Sequence, residues 1–325
     1  MPRLSTRELN ERLSGLFTAH GLEPEESERL AAILTETEAA GRRSHGLIRV
    51  RPMLNHLDRR GHSPGVWLKT TPVGALYDGR QGLGYLIAWH TAAKAAELAS
   101  ASGIALAGAK GCTHTGPIGY FASMCARSGL VGICFANCSP FAAPFGSTEA
   151  VLGTNPVAFA FPREGREPLV VDFGTTAVTY GECRVAIAEG RALPEGVALD
   201  SQGNPTPNPQ AAIDGGTLLP FGGHKGYALA LAVQVLTSAV IGSAAIPEPG
   251  QDYGLTVLAF RPDLLVERGQ YESSLEELSA AVHSARPADP SQPVRLPGEG
   301  TLTRRAAAER EGIDIPEALF REIFG

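Results

Sequence analysis

The chain has 325 residues, 43% of them hydrophobic and 19% charged, a globular composition that excludes general disorder. At about 100–200 residues per domain, this length suits two domains or one domain with a large insertion. Its 28 basic and 34 acidic residues leave a net charge of −6, which argues against a nonspecific nucleic-acid binder or a partner of anionic membranes.

The first residues, MPRLSTRELNERL, are charged throughout and lack the apolar region of a signal peptide, so a cytoplasmic location is expected. Ser5-Thr6-Arg7-Glu8 reads as a capping box, and Leu9, Leu13, Leu16 and Phe17 follow at helical spacing up to Gly21. Pro24, Glu25 and Glu26 suit the first turn of a second helix ending near Ala40. A third helix is predicted over His45 to Leu57. Strands are predicted at Val66 to Thr70 and Val73 to Tyr77, closed by Asp78-Gly79. Thr91 to Ser100 reads as helix, Ile104 to Ala109 as strand, and Pro117 to Ser128 as a helix stopped by Gly129. Leu130 to Ala136, Val157 to Phe161 and Leu169 to Asp172 are apolar strands, and Thr175 to Glu189 is helical. After a loop-rich excursion from Gly190 to Gly215, Lys225 to Ile241 forms a nearly all-apolar helix, expected to be central or buried at an interface. Its apolar run, from Tyr227 to Ile241, is shorter than the ~20 residues of a membrane span, and Gln234 interrupts it. A strand at Gly254 to Phe260, an amphipathic helix at Glu272 to Ala285, a Pro-rich linker and two terminal helices complete the chain. The pattern is an α/β body from about Gly65 to Ala285, with the two ends meeting as a helical cap.

The cysteines (Cys112, Cys125, Cys134, Cys138, Cys183) are odd in number and form no C-x-x-C pair, so free thiols are expected. Cys134 and Cys138 lie in an apolar run and read as core, with no metal site assigned. The chain has no G-x-x-x-x-G-K-[ST] loop, no G-x-S-x-G elbow and no H-E-x-x-H. Gly82-Leu83-Gly84 is followed by Ile87 where a Rossmann fingerprint needs Gly.

Four segments could carry chemistry. In Ser44-His45-Gly46-Leu47-Ile48-Arg49, an imidazole that titrates near neutrality stands four residues before a guanidinium able to grip a carboxylate at two points. A plain helix start with an ion-pairing Arg remains open. Cys112-Thr113-His114-Thr115-Gly116-Pro117-Ile118 turns from a strand into a helix, whose N-terminus suits phosphate; a capped turn with a surface His is the alternative. Gly153-Thr154-Asn155-Pro156 and Asp172-Phe173-Gly174-Thr175-Thr176 border strands, with Glu182 one to two turns further on, although simple helix capping would also explain Asp172 and Thr175. Pro220-Phe221-Gly222-Gly223-His224-Lys225-Gly226 allows close backbone approach beside two basic side chains, or serves as a flexible hinge.

In this order, S-H-G-L-I-R, T-H-T-G-P-I-G-Y, F-G-S-T-E-A-V-L-G-T-N-P, D-F-G-T-T and P-F-G-G-H-K-G resemble the malate/L-lactate dehydrogenase-type oxidoreductases, a non-Rossmann family. The run from Gly181 through Arg191-Ala192-Leu193-Pro194 to His224-Lys225 is most similar to its Δ1-piperideine-2-carboxylate/Δ1-pyrroline-2-carboxylate reductase branch. The resemblance implies an α/β fold with a mixed, largely antiparallel sheet. Residues 65–286 would form the NAD(P)-binding domain, and 1–64 plus 287–325 a helical domain with substrate, acid and dimer contacts. It implies a homodimer using NADPH, with NADH possible, on a small carboxylate. Ser44, His45 and Glu182 would be catalytic, with Glu182 standing where those reductases carry Asp. Arg49, Thr154 and Thr175 would bind substrate. His114, Thr115, Gly116, Pro117, Ile118, Asp172, Phe173, Gly174, Gly223, His224, Lys225, Leu296, Pro297, Gly298 and Glu299 would line the cofactor. The implied reaction is reduction of a cyclic imine carboxylate. The alternatives are a 2-hydroxy-acid dehydrogenase of malate, lactate or ureidoglycolate type and, in another class, a non-catalytic dinucleotide-binding protein.

Overall fold

The computed structural model describes residues 1–325. The chain opens with a two-residue strand, β1 (Arg3–Leu4), and the helices α1 (Thr6–Ala19), α2 (Pro24–Ala39) and α3 (Val50–Arg60). Ser5 Oγ accepts the Glu8 N–H at 3.1 Å, and Leu9, Leu13 and Phe17 are fully buried along the inner face of α1. Strands and helices then mix: β2 (Val66–Thr71), β3 (Gly74–Gly82), α4 (Gly84–Ser102), β4 (Ile104–Cys112), α5 (Ile118–Arg127), β5 (Val131–Ala136), β6 (Val157–Phe161) and β7 (Leu169–Phe173). Next come α6 (Tyr180–Ala188), β8 (Ala198–Leu199), α7 (Pro209–Ile213), β9 (Thr217–Leu218), α8 (His224–Thr237), β10 (Tyr253–Phe260) and α9 (Arg268–Ser284). The end is α10 (Glu299–Glu311), β11 (Ile313–Asp314) and α11 (Glu317–Phe324).

One seven-stranded sheet runs β2-β3-β4-β10-β5-β6-β7. Every neighbouring pair is antiparallel except β3–β4, so the sheet is mixed and largely antiparallel, as expected. That parallel pair needs a long crossover, which α4 supplies. The helices α4 and α5 cover one face through small side chains: Ala92, Ala95 and Ala99 of α4 lie over a sheet rich in buried Ala105, Ala107, Ala109 and Ala158. Gly132 is required there, since a Cβ on it would stand 2.4 Å from the Ala122 carbonyl oxygen of α5.

The chain ends meet. The strands β1 and β11 pair antiparallel, and Arg3 donates two hydrogen bonds to the Asp314 carboxylate, at 2.8 and 2.7 Å. One continuous core of 47 buried residues reaches from Leu4 and Leu9 through the sheet to Ile315 and Ile323. A separate small core around Val178, Cys183, Ala198 and Leu218 belongs to the excursion after β7. No helix is long and apolar enough to cross a membrane.

Several elements differ from the sequence expectation. The helix predicted from His45 starts only at Val50; before it, Arg43–His45 and Leu47–Arg49 form two 3-10 turns divided at Gly46. The helix predicted from Thr175 starts at Tyr180, because Thr179 and Glu182 form a reciprocal capping box. The strand β3 runs past Asp78-Gly79 to Gly82, with Arg80 and Gln81 at positive φ. The helix α4 spans Gly84–Ser102, well beyond Thr91 to Ser100. The apolar helix α8 stops at Thr237 and buries only one side, on Ala230, Val233 and Gln234, while Leu231 and Val235 are 45% and 47% exposed.

Candidate active site

The two 3-10 turns place His45 and Arg49 differently from a regular helix. Gly46 breaks the hydrogen-bond ladder between them, and the turn folds back so that the Arg49 Nε donates to the Ser44 carbonyl oxygen at 2.7 Å. That bond fixes the guanidinium, and no carboxylate of the chain pairs with it. The Arg49 charge is felt at His45, His114, Tyr85 and Cys138, and the Tyr85 and His114 rings stand 5.9 Å apart.

The β4–α5 turn brings His114 against His45. Their rings stack with centroids 5.2 Å apart and planes 21° apart. His114 Nδ1 accepts the Gly116 N–H at 3.2 Å, whereas His45 Nδ1 is buried with no partner. Burial, reinforced by Arg49, pushes the His45 pKa down to about 3 and holds His114 well below the ordinary histidine value. Both rings are therefore neutral at pH 7. Gly116, at φ +81°, lets Tyr85 approach, since a Cβ would lie 2.5 Å from that ring. The Tyr85 hydroxyl donates to the His45 carbonyl oxygen at 2.7 Å.

The strand-end loops close in from the other side. The Thr154 carbonyl oxygen accepts both the Thr175 N–H (2.8 Å) and the Thr175 hydroxyl (2.9 Å), so the Thr175 side chain is spent on the loop. Thr154 Oγ1 lies 3.5 Å from Cys138 Sγ. The Thr175 carbonyl oxygen in turn accepts the Phe221 N–H at 3.1 Å, and the Phe173 and Phe221 rings meet edge to face at 5.9 Å. This chain of contacts joins 154, 173–175 and the glycine turn at 222–223. Gly222 and Gly223 both have positive φ, and His224 and Lys225 are exposed at the start of α8.

Asp172 faces the other way. Its carboxylate forms an ion pair with Arg42 and lies over the first turn of α5, where a Cβ on Gly119 would stand 2.6 Å from it. Beside it opens a cleft lined by Arg42, Pro117, Gly119, Tyr120, Gly298 and Arg305 among others. Gly298 has positive φ, and a Cβ on it would stand 3.0 Å from the Val170 carbonyl oxygen. The Glu299 carboxylate caps its own turn by accepting the Leu296 N–H at 2.9 Å, and Pro297 lies between them.

Of the residues singled out from the sequence, Ser44, His45, Arg49, His114 and Thr154 gather at one place, with Cys138, read from the sequence as core, beside Thr154. Ser44 packs under Gly181, where a Cβ would be 2.7 Å from its own. Glu182 does not reach His45: its carboxylate accepts the Thr179 N–H at 2.7 Å and the Thr179 hydroxyl at 2.8 Å, so it serves as a helix cap. Arg42, Glu38 and Tyr85 were not identified from sequence. Arg42 directly precedes the Ser44 turn, but its role exists only through Asp172, 130 residues away.

The space beside Gly116 and Gly119 is taken by the Tyr85 ring and the Asp172 carboxylate, so these glycines set the packing of the β4–α5 turn, whereas Gly222 faces open space. The exposed turn at 222–225, open at Gly222 and carrying two basic side chains at the start of α8, suits the phosphates of a dinucleotide, and the unpartnered His45 Nδ1 is an atom able to exchange a proton.

The malate/L-lactate dehydrogenase family model matches residues 4–324 of the chain. An L-sulfolactate dehydrogenase of Methanothermobacter thermautotrophicus is 31% identical over 99% of this chain and 96% of its own. A Delta(1)-pyrroline-2-carboxylate/Delta(1)-piperideine-2-carboxylate reductase of Pseudomonas syringae pv. tomato is 32% identical over 97% and 93%. Among solved structures, a dehydrogenase from Sinorhizobium meliloti superposes with a TM-score of 0.90 at 32% identity, covering 99% of this chain and 97% of that one.

Proposed function

The chain belongs to the malate/L-lactate dehydrogenase family of oxidoreductases, and from that premise we propose that it exchanges hydride between NADPH, or NADH, and the carbon next to a carboxylate. The finer reading is reduction of Δ1-piperideine-2-carboxylate or Δ1-pyrroline-2-carboxylate to the cyclic amino acid. The observation that carries the proposal is a guanidinium without a carboxylate partner, held beside a neutral, stacked imidazole pair.

His114, Thr115, Gly116, Pro117 and Ile118, with Asp172, Phe173, Gly174, Gly223, His224, Lys225 and Leu296 to Glu299, would hold the dinucleotide. When bound, its nicotinamide supplies or accepts the hydride. The rest falls to the chain's own side chains. Arg49 grips the substrate carboxylate at two points and so fixes the reacting carbon. Burial is the main cause of the low His45 pKa and the Arg49 charge a lesser one; the same contact offsets that lesser part, so the pKa moves upward when substrate binds. His45 then carries the proton that the reduced nitrogen receives. Ser44, beneath Gly181, shapes the wall of the turn. Thr154 supports the substrate side through its bonds to Thr175.

A 2-hydroxy-acid dehydrogenase is the second reading, favoured by the neutral state of His45 in the free enzyme, which suits a base that takes the proton of an alcohol. A substrate panel separates the two. Purified enzyme is assayed with NADPH and NADH on the cyclised imines, pyruvate, oxaloacetate and 3-sulfopyruvate. We expect kcat/KM for a cyclic imine to exceed that for every 2-oxo acid. The reverse order selects the dehydrogenase, and the absence of turnover on all of them removes both readings.

The homodimer is part of the same proposal. The apolar residues Leu231 and Val235 of α8, with Val240 and Phe145 nearby, are exposed in the single chain. We expect light scattering to give twice the chain mass, and Leu231→Glu combined with Val235→Glu to give the single-chain mass. A monomeric parent protein removes this assignment.

A further inference from the structure

The turn that carries His45 and Arg49 rests on a buried carboxylate that the reaction itself does not require. Glu38, in the last turn of α2, is 7% exposed. Its Oε2 accepts the Leu47 N–H at 2.8 Å, at the first residue of the second 3-10 turn and within two residues of both His45 and Arg49. The chain makes room for this contact at Gly46, where a Cβ would stand 2.1 Å from that oxygen. The missing Cβ would fall on the carboxylate oxygen, so the space that Glu38 occupies excludes a side chain at Gly46. The turn is thus tied at three points: Glu38 to Leu47, Tyr85 to His45 and Arg49 to Ser44. The first two tie this segment to regular helices, α2 through Glu38 and α4 through Tyr85, and the Glu38 bond is the one that holds the Leu47 N–H, midway between the two reacting side chains.

We infer that Glu38 is a positioning residue, which sets the relative placement of His45 and Arg49 by accepting the Leu47 N–H in the space left by Gly46. This rests on the reading of His45 and Arg49 as the acid and the clamp. What the position needs is an acceptor oxygen. Burial raises the pKa of the Glu38 carboxyl, and among charged side chains only Arg43 lowers it, so the neutral carbonyl of glutamine can do the same work.

Three variants test this. In Glu38→Leu, the buried Leu47 N–H loses its acceptor and the turn relaxes; a misplacement of ~1 Å is worth about 100-fold in kcat/KM. Glu38→Gln brings kcat/KM back to within about threefold of the parent. Gly46→Ala, whose methyl displaces the carboxylate, repeats the loss and decides the matter if Glu38→Leu does not fold. Rates are measured on whichever acid of the panel the parent turns over. A second readout needs no substrate: the ¹⁵N shifts of the His45 ring, assigned by their absence in His45→Gln, move in Glu38→Leu and Gly46→Ala and return in Glu38→Gln. Unmoved His45 shifts in folded Glu38→Leu, or kcat/KM within about threefold of the parent, overturn the inference. A Glu38→Gln enzyme as impaired as Glu38→Leu overturns the requirement for an acceptor alone. A parent inactive on the whole panel, but with the expected ¹⁵N pattern, counts against the proposed function and for the positioning role.

Discussion

Arg49→Ala enzyme loses about a thousandfold in kcat/KM for its carboxylate substrate, while its affinity for the reduced dinucleotide stays within about twofold of the parent. The asymmetry follows from geometry. The guanidinium is fixed by its Nε bond to the Ser44 carbonyl and leaves its other nitrogens for a ligand, and the turn at 222–225 proposed to hold the dinucleotide makes no hydrogen bond to it. Charge-assisted two-point contacts are the strong ones, and removing one partner of a buried charged pair costs 2–5 kcal/mol. Arg49→Lys recovers little, because an ammonium cannot reproduce the planar fork. Steady-state kinetics beside dinucleotide titration by fluorescence gives both numbers. Unchanged kcat/KM in Arg49→Ala would remove the clamp from the mechanism.

His45→Ala has a comparable effect through a different step. Positioned acid–base catalysis is worth about 10²–10⁴-fold, and the loss falls on kcat as well as kcat/KM. The pH signature is specific. Free His45 is neutral down to about pH 3, and a carboxylate bound at Arg49 raises that value. Binding of pyrrole-2-carboxylate at acid pH, where His45 begins to titrate, therefore takes up protons, measurable by calorimetry in buffers of different ionisation enthalpy, and the uptake disappears in His45→Gln. The same depression has a stability consequence. The folded value lies below the unfolded 6.5, so above pH 6.5 the group is neutral in both states and stability is undiminished. As pH falls from there toward 3, the unfolded chain gains the proton first, and stability is lost across that window. A His45→Ala enzyme with normal turnover from pH 6 to 9 would transfer the acid role elsewhere, with His114 the stacked neighbour to test next.

Much of this was legible one residue at a time. The capping of α1 needs only Ser5 and its first turn, and the strands β5, β6 and β7 declare themselves as short apolar runs. The candidate site was legible where chemistry and motif coincide, at His45, Arg49 and His114. It was misread at two kinds of place. The 45–57 helix failed because periodicity registers Leu47, Val50 and Leu54 but not a carboxylate from α2 that pulls the Leu47 N–H out of the helical ladder. Glu182 is given a catalytic role by the resemblance, yet its Oε2 accepts both the N–H and the hydroxyl of Thr179, three residues before it, and caps α6.

Local composition and ordered motifs were sufficient to determine the class of fold, the family and the side chains able to exchange a proton or grip a carboxylate, since those properties belong to residue types and short spacings. Which of those side chains meet was decided by the tertiary structure alone. The His45–His114 stack, the Arg42–Asp172 pair and the Glu38 support each join elements that different parts of the chain build. Their separation in space follows from the order of strands in the sheet and the approach that glycines and alanines allow, and burial there, not residue identity, sets the charge state of the imidazoles.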